Sequence, residues 1–340
     1  MNILIIGLGS IGQRHLRNLK KIVPNACFYA LRKKYITPLL NNNNKVIKGD
    51  LKKKYSLKYI KNLQEINNKK IKINCAFVCT PTSDHVSQAI WLLKNNINCF
   101  VEKPLGSSLK KLKELEFLLK TKKNIVNMMG FQLRFNPIIQ YLDILLRKKS
   151  PIGNILIAHI HNGEHIEDFH PYEDYRISYT AQKKLGGGVV LCQIHEIDYL
   201  LHLFRGYDFA NAQSVTSKVS DLDISVEDSF SGHFLLRKNN KKVLCSMNLN
   251  FLERPKKRKI YLIGKRGSIE ACLNNHTISI FRDKKKIVKK FKFSRNDIFI
   301  KELKFFISSL KSKKKLSNNY SLMNGIKTLR AAISLKDNFL

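Results

Sequence analysis

Four apolar residues, Ile3-Leu4-Ile5-Ile6, run together near the start of the chain and stop at Gly7. Similar short runs recur at Ala26 to Leu31, Ile73 to Cys79, Cys99-Phe100-Val101 and Asn124 to Met129. Brief continuous apolar runs fit strands buried on both faces, as in a parallel sheet. Between them the apolar positions take helical spacing, at Ile11, Leu16 and Leu19, then at Val86, Ala89, Ile90 and Leu93. A Lys-rich helix is expected over Leu109 to Leu119. Alternating strands and helices predict a doubly wound α/β sheet. Residues 35–70 are polar, with one strand expected at Lys45 to Ile47 and a short helix around Tyr59 to Ile66.

The pattern then changes. Ile155 to His161 reads as a strand with His159 and His161 on one face. Val189 through Leu203 reads as one helix, with Cys192, His195 and Tyr199 on one face. Further on, Val243, Cys245, Met247, Leu249 and Phe251 alternate with more polar neighbours. Such alternation predicts an antiparallel sheet with one buried face. Ile260 to Ile263, Ser268 to Cys272 and Thr277 to Phe281 continue it, and helices at Ile298 to Leu310 and Leu322 to Leu335 follow. The expected division is a dinucleotide-type α/β domain over residues 1–124 and an α+β domain over 125–340, the last helices packing back on the first domain.

Composition adjusts this picture little. The net charge of +37 raises nucleic acid or an acidic membrane as partners. The lysines come as short runs on every element, from Lys52 to Lys54 through Lys313 to Lys315, and accompany asparagine runs such as Asn41 to Asn44. That is compositional drift toward Lys, Asn and Ile, so neither nucleic acid nor membrane is expected as a partner. Seven cysteines without short C-x-x-C spacing argue against a disulfide framework or a zinc site, and no metal is expected. Met1-Asn2 runs into only four apolar residues before Gly7, too few for a signal-peptide core. A cytoplasmic location is the expectation.

The chemistry gathers at the strand ends. Gly7-x-Gly9-x-x-Gly12 joins a strand to a helix, the setting in which this spacing reads as a dinucleotide fingerprint. Gly7 would make the turn, Gly9 admit the pyrophosphate and Gly12 let helix and strand approach, with Ser10 and Ile11 opening the helix. The next strand ends in Leu31-Arg32-Lys33-Lys34, where an NAD-binding chain usually carries an acid. Arg32 can bind a 2′-phosphate, which favours NADP(H), with NAD(H) as the alternative. Thr80-Pro81 and Glu102-Lys103-Pro104 end neighbouring strands, where ligands of such sheets collect.

These motifs, in this order, resemble the Gfo/Idh/MocA oxidoreductases. The resemblance rests on the glycine fingerprint, Cys79-Thr80-Pro81-Thr82-x-x-His85, Glu102-Lys103-Pro104, Gly130 to Pro137, and Gly186-Gly187-Gly188 leading to His195 and Asp198. It implies an N-terminal Rossmann domain and a C-terminal α+β domain with a mostly antiparallel sheet, often used for oligomerisation, so a homo-oligomer is expected. It also implies that Lys103 reaches both cofactor and substrate, with Glu102 near the nicotinamide ribose and Thr80, Pro81 and His85 along the cofactor. Lys103, His195 and Asp198 are the candidate catalytic residues. Arg134, Tyr175, Arg176 and Cys192 are the candidate substrate contacts. Many relatives carry Asp where this chain has Cys192, which shifts weight onto Lys103 and Asp198. The expected activity is hydride transfer between a nicotinamide and a carbinol or carbonyl carbon of a sugar, with a nucleotide sugar or sugar acid suggested by the two arginines. The alternative is a non-catalytic dinucleotide-binding regulator or partner-binding protein of the same fold.

Overall fold

The computed structural model describes residues 1–32, 38–148, 150–312 and 316–337. Lys33, Lys34 and Lys313 to Lys315 lie outside the described residues. Two compact units form. One comprises residues 1–131, 171–173 and 299–327; the other comprises 132–170, 174–298 and 328–340.

The first unit contains β1 (Asn2–Ile6), α1 (Ser10–Ile22), β2 (Cys27–Leu31), α2 (Leu51–Tyr55), β3 (Lys58–Ile60), α3 (Gln64–Asn68) and β4 (Cys75–Val78). It continues through α4 (His85–Lys94), β5 (Asn98–Glu102), α5 (Leu112–Thr121) and β6 (Asn127–Gly130). The strands form one parallel sheet in the order β3-β2-β1-β4-β5-β6. Order reverses between β1 and β4, so a crevice opens at their carboxyl ends. Ile3 to Ile6, Cys75 to Val78 and Cys99 to Val101 are buried, as the continuous apolar runs predicted.

Two local expectations are corrected. Lys45 to Ile47 forms no strand; only an isolated bridge joins Leu40 and Val46, and the sheet takes Lys58–Ile60 instead. The expected helix at Tyr59 to Ile66 starts later, at Gln64, because Lys58–Ile60 pairs with β2. The division at residue 124 also differs from the compact unit, which runs to Phe131 because β6 hydrogen-bonds to β5.

The second unit contains α6 (Pro137–Arg147), β7 (Ile155–Gly163), α7 (Val189–Cys192) and α8 (His195–Leu203). Seven strands follow: β8 (Asp208–Ser217), β9 (Ser229–Lys238), β10 (Lys241–Asn250), β11 (Lys257–Gly264), β12 (Gly267–Cys272), β13 (Thr277–Arg282) and β14 (Lys285–Lys290). They join β7 in an eight-stranded sheet, β14-β13-β12-β11-β7-β10-β9-β8, antiparallel except between β7 and β10. Alternation in β10 buries Val243, Cys245, Met247 and Leu249, as predicted. On the other face the register lines up Leu235, Leu244, Ile157 and Ile263 across four strands. The helices α9 (Arg295–Lys311) and α10 (Leu322–Asp337) close the chain. Among the described residues no helix is long and apolar enough to cross a membrane.

The helix expected over Val189 to Leu203 is two helices. Gln193 (φ −98°, ψ 27°) leaves helical geometry, and its side-chain amide donates to the Asn250 carbonyl at 2.8 Å. His195 therefore begins α8 rather than lying one turn along a helix shared with Cys192.

Candidate functional site

In the first unit the glycine loop is built by close approach. Gly7 has φ +94°, and its N–H donates to the Leu31 carbonyl at 3.0 Å. A Cβ on Gly12 would stand 2.1 Å from the Gly7 carbonyl oxygen, so only glycine fits there. Gly9 is different: a Cβ on it would meet nothing within 4 Å. The fold leaves open space at Gly9, beside the start of α1. That helix has no side-chain N-cap and no acid in its first turn. The amides of a helix start and the positive end of its dipole suit a phosphate group.

The strand ends beside the loop are held by two buried histidines. His85 places Nδ1 2.7 Å from the Pro104 carbonyl and Nε2 2.8 Å from the Thr80 carbonyl. Both ring nitrogens face backbone, so His85 ties the two loops together rather than presenting a nitrogen to a cofactor. Burial lowers its pKa below the ordinary histidine value, opposed by those carbonyls, Glu102 and Asp84. Thr80 donates its hydroxyl to Gln88 at 2.8 Å, and Pro81 leads into a short 3-10 turn at Thr82–Asp84.

Glu102 is 5 % exposed at the end of β5. His15 Nε2 lies 2.6 Å from its Oε1, and the Lys103 backbone N–H donates to its Oε2 at 3.2 Å. The peptide between Lys103 and Pro104 is cis, and Lys103 is half-buried. Cys79, at the end of β4, has its thiol pKa pushed well up by burial and by the carboxylates of Glu102 and Glu302, so it is no nucleophile. Arg32 follows the last residue of β2 and is half-buried.

In the second unit Arg134 and Asp198 meet. Arg134 lies in a 3-10 turn, Gln132–Phe135, and donates through Nε and Nη2 to the two Asp198 oxygens at 2.9 and 2.5 Å. Thr328 adds a hydroxyl at 3.4 Å. Both charged residues are buried, at 3 % and 0 % exposure. Burial raises the Asp198 pKa, and Arg134 and Thr328 oppose that rise. The sequence assigns Asp198 to catalysis and Arg134 to substrate; the structure brings the two together as one buried ion pair.

His195 is buried at the first position of α8, and the adjacent Glu196 accepts from Arg258 Nε at 2.7 Å. Cys192 is buried at the end of α7. Arg176, expected at an anionic substrate, is turned onto Asp174 at 2.6 Å. Tyr175 accepts from the Asp223 backbone N–H at 3.3 Å. Arg176 thus pairs within its own loop, and Tyr175 ties that loop to the segment around Asp223.

Three residues escaped sequence reasoning. His15 shares a helical face with Ile11 and Leu19, which placed it inward but gave no partner. Tyr172 joins the first unit, where burial pushes its phenol pKa to about 12 against hydrogen bonds from Ser10. Asn162 is fully buried in β7, and neither its amide nitrogen nor its oxygen meets a partner among the described residues. Its signal was the period of two after Ala158 and Ile160, but the strand had been expected to end at His161. A buried amide with unmet donors and acceptor is suited to a ligand's hydroxyl groups.

Residues 1–131 match the model of the Gfo/Idh/MocA oxidoreductase family, NAD-binding Rossmann fold. The chain is 27 % identical over 199 residues to a scyllo-inositol 2-dehydrogenase (NAD(+)) of Bacillus subtilis (strain 168), covering 58 % of this chain and 52 % of that protein. It is 30 % identical over 133 residues to a 2,7-anhydro-N-acetylneuraminate hydratase of Escherichia coli (strain K12), covering 38 % of this chain and 33 % of that protein. The chain thus spans about half or less of the curated relatives it matches. The structure of a myo-inositol 2-dehydrogenase from Lactobacillus plantarum superposes with a TM-score of 0.76 at 19 % identity, covering 99 % of this chain and 96 % of that one.

Proposed function

We propose that the chain, whose residues 1–131 match the Gfo/Idh/MocA oxidoreductase family model, is an NAD(P)-dependent oxidoreductase acting on a CH–OH group of a sugar or sugar derivative. The observation that carries this reading is the open space at Gly9 next to the start of α1, since protein packing does not require glycine there and a pyrophosphate does. When bound, the nicotinamide supplies hydride acceptance and donation. The loop amides from Gly9 to Gly12 bind the pyrophosphate, and Arg32 takes a 2′-phosphate, which favours NADP(H) while leaving NAD(H) usable.

Lys103 binds the substrate oxygen and stabilises the negative charge that develops there. His195 serves as the proton acceptor or donor, imidazole being the side chain best able to do both near neutral pH. The buried Arg134–Asp198 pair supports α8 one turn beyond His195 and so holds that residue's backbone. Asn162 hydrogen-bonds a substrate hydroxyl. The polyhydroxylated rings named for the curated relatives favour a sugar-type substrate over other alcohols.

The test is to release and identify the dinucleotide that copurifies with the protein, then to screen cyclic polyols, sugars and nucleotide sugars for a change in nicotinamide absorbance. Turnover of a member of that panel supports the reading. Dinucleotide binding with no hydride exchange on any member would favour the non-catalytic alternative.

A further inference from the structure

His15 lies on α1, three residues past Gly12, and is fully buried. Its ring sits among Phe77, Phe100 and Phe299, with centroids at 5.8, 5.2 and 6.0 Å. A phenylalanine would fill such a box without removing a polar ring from water, so the imidazole is there for its hydrogen bond. Nε2 makes that bond, to Glu102 Oε1 at 2.6 Å. Nδ1 meets no partner among the described residues. With a proton on Nε2 the ring donates and Glu102 accepts.

The carboxylate has a second grip, because its Oε2 accepts the Lys103 backbone N–H at 3.2 Å. One continuous path thus runs from the α1 side chain through Glu102 to the Lys103 amide. Glu102 stands on β5 and its Oε1 is held from α1, and regular elements hold a geometry better than loops do. The start of α1, at Ser10, is five residues from His15, about 7.5 Å along the axis.

We propose that His15 is a positioning residue which, through Glu102, fixes the backbone of Lys103 and couples the phosphate-binding helix to the residue that handles the substrate oxygen. The proposal rests on the oxidoreductase reading for its consequence, but the coupling is measurable without turnover.

Wild type, His15→Phe and His15→Gln are compared by thermal melting, by dinucleotide titration, by steady-state kinetics and by 15N-lysine spectra in which Lys103→Met identifies the Lys103 amide. His15→Phe keeps the aromatic packing and removes the donor. It is expected to melt near wild type, to move the Lys103 amide resonance upfield, and to lower kcat about tenfold or more with a smaller rise in dinucleotide KM. His15→Gln restores a donor and is expected to recover part of the resonance position and of kcat. An unmoved Lys103 amide in His15→Phe overturns the coupling. So does a loss of kcat that follows melting temperature equally in both variants, since that is packing alone. A wild type that exchanges no hydride overturns the oxidoreductase reading instead, and the amide resonance still decides the coupling.

Discussion

Arg134 grips both oxygens of Asp198 in the second unit, with both groups almost fully buried. A planar guanidinium meeting a carboxylate two-to-two is the strongest ion-pair geometry available to side chains. It is also unforgiving, because removing one partner strands the other's charge away from water. Arg134→Met is expected to cost roughly 3–5 kcal/mol, seen as a large fall in melting temperature. Arg134→Met combined with Asp198→Leu is expected to recover most of it. If Arg134→Met melts like wild type, the pair does not hold the fold.

Gly9 and Gly12 separate ligand from packing. Gly12→Ala drives a methyl group against the Gly7 carbonyl and is expected to lower both melting temperature and dinucleotide affinity. Gly9→Ala meets no protein atom, so melting is expected to stay near wild type while affinity falls about tenfold or more. Fluorescence titration with NADH and NADPH reads the second effect. An unchanged affinity in Gly9→Ala contradicts the phosphate cradle.

Lys103→Met on a confirmed substrate is expected to lower kcat by about 10²–10⁴-fold, the usual weight of a positioned proton-transfer or charge-stabilising group. Dinucleotide affinity should change much less. Unchanged turnover would remove Lys103 from the mechanism.

Asp228 gives the acid limb of stability. Burial alone would raise its pKa, but hydrogen bonds from Ser220, Val219 and Ser229 outweigh that and hold it below the ordinary value. A lowered folded-state pKa contributes stability that is present above the unfolded value, about 4, and lost as pH falls through the folded one. Asp228→Asn is expected to cost about 1–2 kcal/mol at pH 7 and nothing at the acid end. Denaturant melts from pH 7 to pH 2.5 check this; a constant difference across the range is the contrary result.

Leu244 is 49 % exposed on the open face of the eight-stranded sheet, in register with Leu235, Ile157 and Ile263. An exposed apolar row on a sheet face is a candidate surface for a second copy of the chain. Leu244→Lys is expected to shift sedimentation toward monomer. A monomeric wild type would exclude self-association by this face.

The inner strands of the first sheet were legible because they are short apolar runs, and residues buried on both faces must be apolar one after another. Gly7 and Gly12 of the fingerprint were legible for a related reason: backbone contacts of 2–3 Å admit only one residue type. Lys58–Ile60 was missed because an edge strand of three residues, two of them exposed, carries no apolar pattern. The break at Gln193 was missed too, since a side-chain bond to Asn250, far along the chain, decides it.

By itself the sequence determined the order of strands and helices, the phosphate loop, and the placing of Glu102 and Lys103 at a strand end. Those features depend on local geometry and on periodicity, which neighbouring residues express. The tertiary structure alone decided the partners. It gave Asp198 to Arg134 across 64 positions, Glu102 to His15 across 87, and His85 to two carbonyls. A buried polar group must find a partner wherever the fold brings one near, and that proximity is written in no local pattern.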